Sequence, residues 1–315
     1  MKSILKEKNF VLMIIAFVIY MGSCSSQDNS DTDKTASDKE LPKEEIKPDK
    51  NDVSFLPKPT NGKTWTIQPK VSNEFNYEEG KASNKFYNHW NDRFFNEWTG
   101  PGITRYTPSQ SSVVGGELAF KANIVDNTIL TGCVTSKSKV SYPLYMEVRV
   151  KLSASVLSSA VWMLSEDSTE EIDNLEAFGD KSNDYFSKRL HLSHHVFIRD
   201  PFKDYQPTGP ETWYADGKGT IWSDDYHNYG VLWEDPWHLS YYVDGILVRE
   251  TLVNEIDPEN YTNGAGLTKP MHLIISAAAQ SWRENQGVDF LNDPTVTNEE
   301  KTVMRVDWIR VYKPE

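Results

Sequence analysis

Cysteine is scarce in this chain: only two of its 315 residues are Cys, at positions 24 and 133. Two cysteines exclude a disulfide framework and a cysteine-rich zinc site. Cys133 is predicted to be a buried, small apolar residue. Basic residues are also outnumbered, 33 Lys and Arg against 46 Asp and Glu, which gives a formal net charge of -13. A chain this acidic has no overall electrostatic footprint for nucleic acid, so we expect no nucleic-acid partner.

The N-terminal apolar run lacks the length of a transmembrane helix. It extends from Phe10 to Tyr20, follows three lysines and precedes Gly22-Ser23 and Cys24. Small residues directly before a cysteine resemble the lipobox of bacterial lipoproteins, with Met21 where Leu is usual. We therefore expect residues 1–23 to be a lipoprotein signal peptide and Cys24 to be the lipidated first residue of an exported protein. The anchor is expected at the outer membrane or cell surface; an ordinary signal peptide with a coincidental cysteine is the alternative.

Residues 24–60 have almost no apolar side chains to bury. After Cys24 the segment consists mostly of Ser, Asp, Glu, Lys and Pro. Such a composition does not offset its chain entropy, so we expect a disordered acidic linker. Its role is to hold the next domain away from the anchor.

Long amphipathic helical patterns and internal repeats are missing from residues 61–315. This stretch of roughly 255 residues is sufficient for one all-β domain. Short β-branched and aromatic segments recur between turn signals, and Asp244-Gly245 between two alternating runs predicts a hairpin. We expect two antiparallel sheets packed face to face. The predicted strands include Tyr145–Leu152, Tyr229–Trp233, Leu239–Val243, Ile246–Arg249 and Thr302–Tyr312.

Aromatic and acidic side chains are what the sequence has in abundance. The 10 Trp and 15 Tyr of this polar chain suggest a surface that stacks flat ligands. The most informative acidic segment is E-I-D-N-L-E, with Glu171, Asp173 and Glu176. On a regular strand Glu176 points away from the face that Glu171 and Asp173 share. A one-residue β-bulge between Asp173 and Glu176 returns Glu176 to that face and leaves Ile172 and Leu175 for the buried side.

This arrangement favours a particular chemistry. A bulged strand brings the carboxyl groups of Glu171 and Glu176 to about 5–7 Å from each other. That range includes the separation of about 5–5.5 Å in retaining glycosidases, and an inverting enzyme at about 6.5–9.5 Å is not excluded. Spacing alone also allows a solvated acidic strand or a calcium site. Trp162 ahead of the strand and the apolar flanks favour a cleft.

The acidic segment resembles the catalytic strand of glycoside hydrolase family 16, whose bulged signature is E-x-D-x-x-E. Further segments from about residue 61 to 315 resemble the β-agarase branch, which includes the β-porphyranases. They are FNEWTGPGIT (95–104), TGCVTSKSKVSYPLYMEVRVKL (131–152), HLSHHVFIRDPFKDYQP (191–207), DYHNYGVLWEDPWHLSYYVDG (225–245) and MRVDWIRVYKP (304–314).

The resemblance implies an all-β jelly-roll sandwich with a concave substrate cleft and hydrolysis of β-linked polysaccharides with retention. Glu171 matches the nucleophile, Glu176 the acid/base, and Asp173 the carboxylate between them. Asp173 is placed to hydrogen-bond Glu171, and a nearby anion favours the protonated form of Glu176 for the first step. When Glu171 becomes glycosylated, that negative charge disappears and Glu176 can act as the base that activates water.

A sugar-binding cleft needs aromatic platforms with polar groups at their edges. Trp98, Trp162 and Trp282 are the predicted platforms, each with a structural Trp as the alternative. His227 lies in the F/Y-H-x-Y stretch of the family, where the His approaches the catalytic carboxylates. Gln280 belongs to the Gln-x-Trp of the late cleft strand. In the agarases the residues before that Gln are acidic or polar, whereas here they are Ala277–Ala279, which we expect to widen a subsite or remove hydrogen bonds to substrate.

The histidines of the HLSHH stretch have no recognised metal-ligand spacing. By resemblance, His194 or His195 supplies hydrogen bonds near the sugar together with Arg199, and strand phase decides which histidine faces the cleft. No catalytic cofactor is expected. Many family members carry a structural calcium away from the cleft, and Asp307 and Gly116 match two of its ligand positions. Such an ion would support the fold without taking part in the chemistry.

The sequence thus predicts a retaining endo-hydrolase of β-1,4 linkages in a red-algal galactan. Agarose is the expected substrate because a strongly acidic protein repels a densely sulfated polymer. A β-porphyranase or carrageenase with the same mechanism is the alternative, since one arginine-lined subsite can bind a sulfate. From other classes, a non-catalytic surface glycan-binding lipoprotein and a metal-dependent hydrolase built on the histidines stay open.

Overall fold

The computed structural model describes residues 54–59 and 62–315. The predicted signal peptide, Cys24 and nearly all of the predicted linker lie outside the described residues. Within the described part, no helix is both long and apolar enough to cross a bilayer.

Strands dominate the described residues, and each helix is short. The first ten strands are β1 (Trp65–Ile67), β2 (Trp90–Asn91), β3 (Thr104–Tyr106), β4 (Ser111–Val114), β5 (Glu117–Phe120), β6 (Ala122–Val125), β7 (Thr128–Thr131), β8 (Cys133–Val140), β9 (Leu144–Lys151) and β10 (Ser158–Ser165). The following strands are β11 (Glu170–Phe178), β12 (Leu190–Arg199), β13 (Phe202–Tyr205), β14 (Trp213–Tyr214), β15 (His227–Asp235), β16 (His238–Val243), β17 (Ile246–Glu250), β18 (Met271–Ala278) and β19 (Met304–Pro314). The helices are α1 (Asn84–His89), α2 (Val253–Ile256) and α3 (Ser281–Asn285), with 3-10 turns at Gly80–Ala82, Pro108–Gln110 and Pro210–Thr212.

Two antiparallel eight-stranded sheets form the sandwich, so the predicted architecture is confirmed. The sheet that carries the acidic strand, here called the cleft sheet, has the order β13-β12-β11-β10-β18-β8-β2, and β14 pairs with β12. The other sheet, here called the back sheet, has the order β17-β16-β15-β9-β19-β5-β4, and β1 pairs with β19. A small sheet of β3, β7 and β6 completes the strands.

The main core lies between the two large sheets. On β9 the alternate residues Leu144, Met146, Val148 and Val150 are buried in this core, as period-two patterning requires. The cleft sheet contributes its own inward residues, among them Ile172. Each large sheet therefore has one apolar face for the core, and the other face of the cleft sheet is left for the site.

Two local predictions are confirmed. Asp244 and Gly245 have φ of 48° and 75° and join β16 to β17 as a two-residue hairpin, because this turn needs left-handed backbone at both positions. Cys133 is a free, buried thiol that packs with Phe94, Leu164 and Ile274.

Candidate active site

A β-bulge in β11 turns its carboxylates toward one surface. In the pairing with β10, Val161 lies opposite Leu175 and Trp162 lies opposite Asp173, which leaves Asn174 without a partner. The pairing with β12 shifts at the same place. The predicted one-residue bulge is confirmed, and its extra residue is Asn174.

The buried side chain of Asn174 holds the bulge against the back sheet. Its amide Nδ2 donates a 3.1 Å hydrogen bond to the backbone carbonyl of Tyr229, which lies on β15. Tyr229 is itself fully buried. The extra residue is therefore fixed by a polar contact that crosses the core.

The three carboxylates share one face of the cleft sheet. Glu171, Asp173 and Glu176 lie opposite residues 164, 162 and 160 of β10, which alternate along that strand. Because of the bulge, the six residues from Glu171 to Glu176 match only five residues of β10, so the two glutamates are four strand steps apart. Their Cα atoms are then about 13 Å apart, and two glutamates that lean toward each other by about 4 Å each leave about 5 Å between carboxyl groups.

A charged histidine compensates the first two carboxylates. Nε2 of His195 lies 3.6 Å from Oδ2 of Asp173 and 3.9 Å from Oε1 of Glu171, and its Nδ1 lies 2.8 Å from Oδ1 of Asp204. Burial disfavours the imidazolium, but the hydrogen bond to Asp204 and the charges of Glu171 and Asp173 outweigh it and raise the pKa of His195 to about 9. Burial and the charge of Asp173 raise the pKa of Glu171.

The third carboxylate has different partners. Nε2 of Gln280 donates a 2.9 Å hydrogen bond to Oε1 of Glu176, and Nδ1 of His191 lies 3.4 Å from Oε2. The ring of His191 stacks on Trp213 with centroids 4.4 Å apart. Each oxygen of Glu176 thus faces a different nitrogen, and one of these nitrogens is fixed by an aromatic ring.

An open cleft of about 1130 Å³ surrounds the carboxylates. Besides Phe197 and Phe202, aromatic rings form two further groups in its lining. The first group is Phe94, Trp98, Tyr106 and Trp162, and the second is Tyr185, Phe186, Trp213 and Trp282. The cleft therefore offers flat apolar surfaces next to polar groups, the combination that sugar rings require.

Most of the predicted substrate contacts lie in this cleft. The lining residues that the sequence predicted are Trp98, Trp162, His195, Arg199, Gln280 and Trp282. Trp98 is 44% exposed, whereas Trp162 is held by a 3.2 Å hydrogen bond from its Nε1 to Ser276. Arg199 stacks on Phe197, 4.4 Å from the ring centroid. Their roles toward substrate stay predictions.

Strand phase corrects the expectation for His194. It is fully buried, and its Nε2 lies 3.0 Å and 3.2 Å from the backbone carbonyls of Glu255 and Ile256. Neighbours on a strand point to opposite faces, so His195 faces the cleft and His194 faces the interior. Because these two histidines point apart, the strand does not assemble the histidine cluster that a metal-dependent hydrolase would need.

His227 is also corrected, because β15 belongs to the back sheet. Its Nδ1 lies 2.8 Å from Oδ2 of Asp244, its ring packs against Trp222, and it does not line the cleft. Among the described residues, the histidines that do approach the three carboxylates of β11 are His191 and His195.

The expectation for Ala277–Ala279 is corrected in part. All three residues are buried, and none of them lines the cleft. Ser276 is the residue of this segment that faces the carboxylate side. Ala277 and Ala279 therefore pack in the core, whereas Ala278 shares the face of Ser276 and its effect on substrate stays a prediction.

Four residues of the site were not predicted: Asn174, His191, Asp204 and Trp213. His191 was considered only as part of a metal cluster, although it lies four residues before His195 and so shares its face. Asp204 and Trp213 lie on short strands that pair with β12, and their sequence gives no sign of that pairing. The sequence predicted a bulge between Asp173 and Glu176 but did not show that Asn174 is its extra residue.

One group of His, Cys, Asp or Glu residues in the described ranges has atoms that converge within 4.8 Å, namely Glu171, Asp173 and His195. The raised pKa of His195 favours the imidazolium, and a metal would have to displace its proton to bind this ring. These side chains therefore form a charge cluster suited to acid–base chemistry.

The predicted calcium ligands lie on the back sheet. Oδ2 of Asp307 is 2.6 Å from Nη1 of Arg149, and Gly116 lies in the turn between β4 and β5 with φ of 82°. Burial raises the pKa of Asp307, and the charges of Glu117 and Glu74 add to it against the effect of Arg149. Asp307, Glu117 and Glu74 each pair with an arginine, and calcium at this place stays a prediction.

Comparison with known proteins gives a consistent set of relatives. The family model described as "Beta-porphyranase A-D, GH16 domain" matches residues 65–314. Beta-agarase AgaA of Microbulbifer thermotolerans is 50% identical over 263 residues, which cover 81% of this chain and 60% of that protein. Beta-agarase A of Zobellia galactanivorans is 40% identical over 313 residues, 98% of this chain and 53% of that protein.

A solved structure shows the same fold. The crystallographic structure of beta-agarase A in complex with oligoagarose superposes with a TM-score of 0.76 at 41% identity, covering 82% of this chain and 96% of that one. The chain therefore spans 60% and 53% of the two curated relatives but nearly all of the crystallised domain.

Proposed function

Since this chain belongs to glycoside hydrolase family 16, we propose that it is a retaining endo-β-agarase that hydrolyses the β-1,4 linkages of agarose. The observation that carries the proposal is the common face of Glu171, Asp173 and Glu176 inside an aromatic-lined cleft. A gap of about 5 Å between the two glutamates suits retention, because inversion needs about 6.5–9.5 Å for an intervening water.

In the first step, a carboxylate oxygen of Glu171 forms a bond to the anomeric carbon. The glycosidic carbon–oxygen bond breaks, and the leaving oxygen takes the proton of Glu176. In the second step, water attacks the same carbon, its proton goes to Glu176, and Glu171 leaves as a carboxylate. Gln280 donates to Oε1 of Glu176, so Oε2, which lies beside His191, is the oxygen that exchanges the proton.

Agarose is favoured by the charge of the cleft and by the relatives. Glu171, Asp173, Glu176 and Asp204 line the cleft, and Arg199 is the only Arg or Lys among its described lining residues. Such a surface repels a densely sulfated chain and accepts a neutral one. The relatives at 50% and 40% identity are named beta-agarases.

A porphyranase or a carrageenase is the second candidate, and Arg199 is the observation that favours it. Its guanidinium lies 4.4 Å from the ring centroid of Phe197 in the cleft, where it can bind one sulfate ester. A surface glycan-binding protein without turnover is the third. The complete set of three carboxylates supports an enzyme over this candidate.

Side-by-side assays distinguish these candidates. Purified protein is incubated with agarose, porphyran and carrageenan, and reducing ends are counted while NMR records the anomer first released. We expect release from agarose with the β anomer first, and none from Glu171→Gln or Glu176→Gln. Release from porphyran alone supports the second candidate. Binding of agarose with equal, negligible release by all three proteins supports the third.

We also propose that the protein is exported and held by lipid at Cys24, in the outer membrane or at the cell surface. The order of charge, apolar run and small residues before Cys24 supports this proposal. Mass spectrometry of the mature N-terminus tests it: a diacylglycerol adduct on Cys24 is expected, and an unmodified mature chain that begins elsewhere contradicts it.

A further inference from the structure

Asp204 approaches the catalytic cluster from an edge strand of the cleft sheet. It lies on β13 opposite Phe197, and His195 lies two residues before Phe197 on β12, on the same face. Asp204 and His195 are therefore diagonal neighbours on paired strands, and Oδ1 of Asp204 lies 2.8 Å from Nδ1 of His195. The other ring nitrogen, Nε2, faces Asp173 and Glu171.

This geometry decides the protonation of the ring. If Nδ1–H donates to Asp204, a neutral imidazole has a bare lone pair at Nε2, directed at two carboxylates. An imidazolium donates from Nδ1 to Asp204 and places its charge 3.6 Å from Asp173 and 3.9 Å from Glu171. The side chains of His195 and Asp204 are only 15% and 33% exposed, so water screens the arrangement weakly.

We propose that Asp204 is a positioning residue that acts through His195 to keep Glu171 and Asp173 ionised for nucleophilic attack. The proposal rests on the proposed function, because it assigns Glu171 as nucleophile. Asp204 itself touches no reacting atom. When Glu171 becomes esterified and loses its charge, Asp173 and Asp204 still balance the His195 cation, so the ring stays in place through both steps.

The charges around His195 support this assignment. Desolvation alone would lower its pKa, and the anions around it raise that pKa to about 9 instead. Arg199 is the nearby cation of the cleft and interacts with both Glu171 and Asp204. The groups that face the cluster are Glu171, Asp173 and Glu176 on β11, His191 and Arg199 on β12, and Asp204 on β13.

The test is Asp204→Asn, which keeps shape and removes charge, with Asp204→Glu as the conservative variant. The matched control is Asp244→Asn, since Asp244 makes the same 2.8 Å contact to His227 outside the cleft. For each protein, kcat/KM on soluble agarose oligosaccharides is measured from pH 5 to 10. The imidazole signals of the 7 histidines are titrated by NMR in the same proteins.

We expect Asp204→Asn to shift the alkaline limb of the kcat/KM profile to lower pH. The midpoint of the His195 NMR titration should shift to lower pH with it. A shift of one pH unit, from about 9 to about 8, lowers the protonated fraction about 3-fold at pH 8.5 and hardly at pH 6. Asp204→Glu should restore part of the shift, and Asp244→Asn should match wild type.

An unmoved limb and an unmoved His195 midpoint in Asp204→Asn would overturn the proposal, as would equal loss of activity at every pH. Failure of the proposed function is recognised separately. In that case wild type releases no sugar, while the NMR titration still reports whether Asp204 controls His195.

Discussion

The amide of Asn174 donates a hydrogen bond of 3.1 Å across the sandwich to the carbonyl of Tyr229. Asn174 is the extra residue of the bulge that returns Glu176 to the face of Glu171. A contact inside the core thus sets the direction of a side chain on the opposite surface of the sheet. It links the packing of the two sheets to the geometry of the cleft.

Asn174→Ala should therefore cost both stability and activity. Loss of this buried hydrogen bond destabilises the fold by about 0.5–1.5 kcal/mol, and the freed bulge should lower kcat on agarose. Chemical denaturation and steady-state kinetics measure the two effects. Asn73→Ala, which removes buried hydrogen bonds to Phe75 and Tyr77 away from the cleft, should lose stability and keep kcat. Unchanged kcat in Asn174→Ala would count against this role of the bulge.

Gln280→Leu should lower kcat with little change in KM. The variant keeps the size of the side chain but removes the 2.9 Å donor to Oε1 of Glu176. A hydrogen bond to a charged group contributes about 1.5–3 kcal/mol, so kcat should fall roughly 10- to 100-fold. Gln110→Leu, at a half-buried site outside the cleft, is the control. A higher KM at constant kcat would instead assign Gln280 to substrate binding alone.

Trp162→Ala should raise KM for agarose oligosaccharides roughly 10-fold, which corresponds to about 1.4 kcal/mol. The indole lines the cleft beside Asp173 and packs on Phe94, so its loss removes a surface on which a sugar ring can stack. Tyr87→Ala removes an exposed ring on α1 outside the cleft and should leave KM unchanged. Equal KM values for both variants and wild type would mean that Trp162 has a structural role only.

Because of Glu147, the free energy of unfolding should fall as pH rises. Burial outweighs its hydrogen bonds to Phe55, Ser54 and Tyr145 and raises its pKa from 4.5 to about 7. The native state then holds a proton that the unfolded state releases above pH 4.5, so stability declines between about pH 4.5 and 7 and levels off above. Glu147→Gln should remove up to about 3 kcal/mol of this decline.

Urea denaturation at pH 5 and pH 8 measures the effect, and Glu250→Gln at an exposed position is the control. A stability difference between the two pH values that is the same in Glu147→Gln and wild type would show that other groups cause the decline.

Calcium chelation should lower the melting temperature by several degrees without stopping turnover at low temperature. The reason is that Asp307 lies on the back sheet, remote from the carboxylates of the cleft sheet. Calorimetry in EDTA and in calcium, paired with assays at low temperature, tests this. Asp307→Asn should melt alike in both solutions. Identical melting temperatures of the wild-type protein in EDTA and in calcium would contradict the predicted calcium site.

Much of the site could be predicted from sequence, because the alternation of side chains along a strand depends only on neighbouring residues. Side chains alternate along a strand, so the spacing of Glu171, Asp173 and Glu176 required one extra residue if all three were to share a face, and the bulge supplies it. The hairpin at Asp244-Gly245 follows from backbone preferences of the same short range.

The tertiary structure, by contrast, decided which face of each strand points inward and which strands pair. Sequence shows that His194 and His195 point to opposite faces, but a shift of one residue exchanges the two faces, and only the packed core fixes which face is inward. His227 was placed near the carboxylates although its strand belongs to the other sheet. The contacts of Asp204 with His195 and of Asn174 with Tyr229 depend on which strands come together. Chain order determines the alternation within a strand, whereas burial of one apolar face against another determines which residues that alternation brings into the cleft.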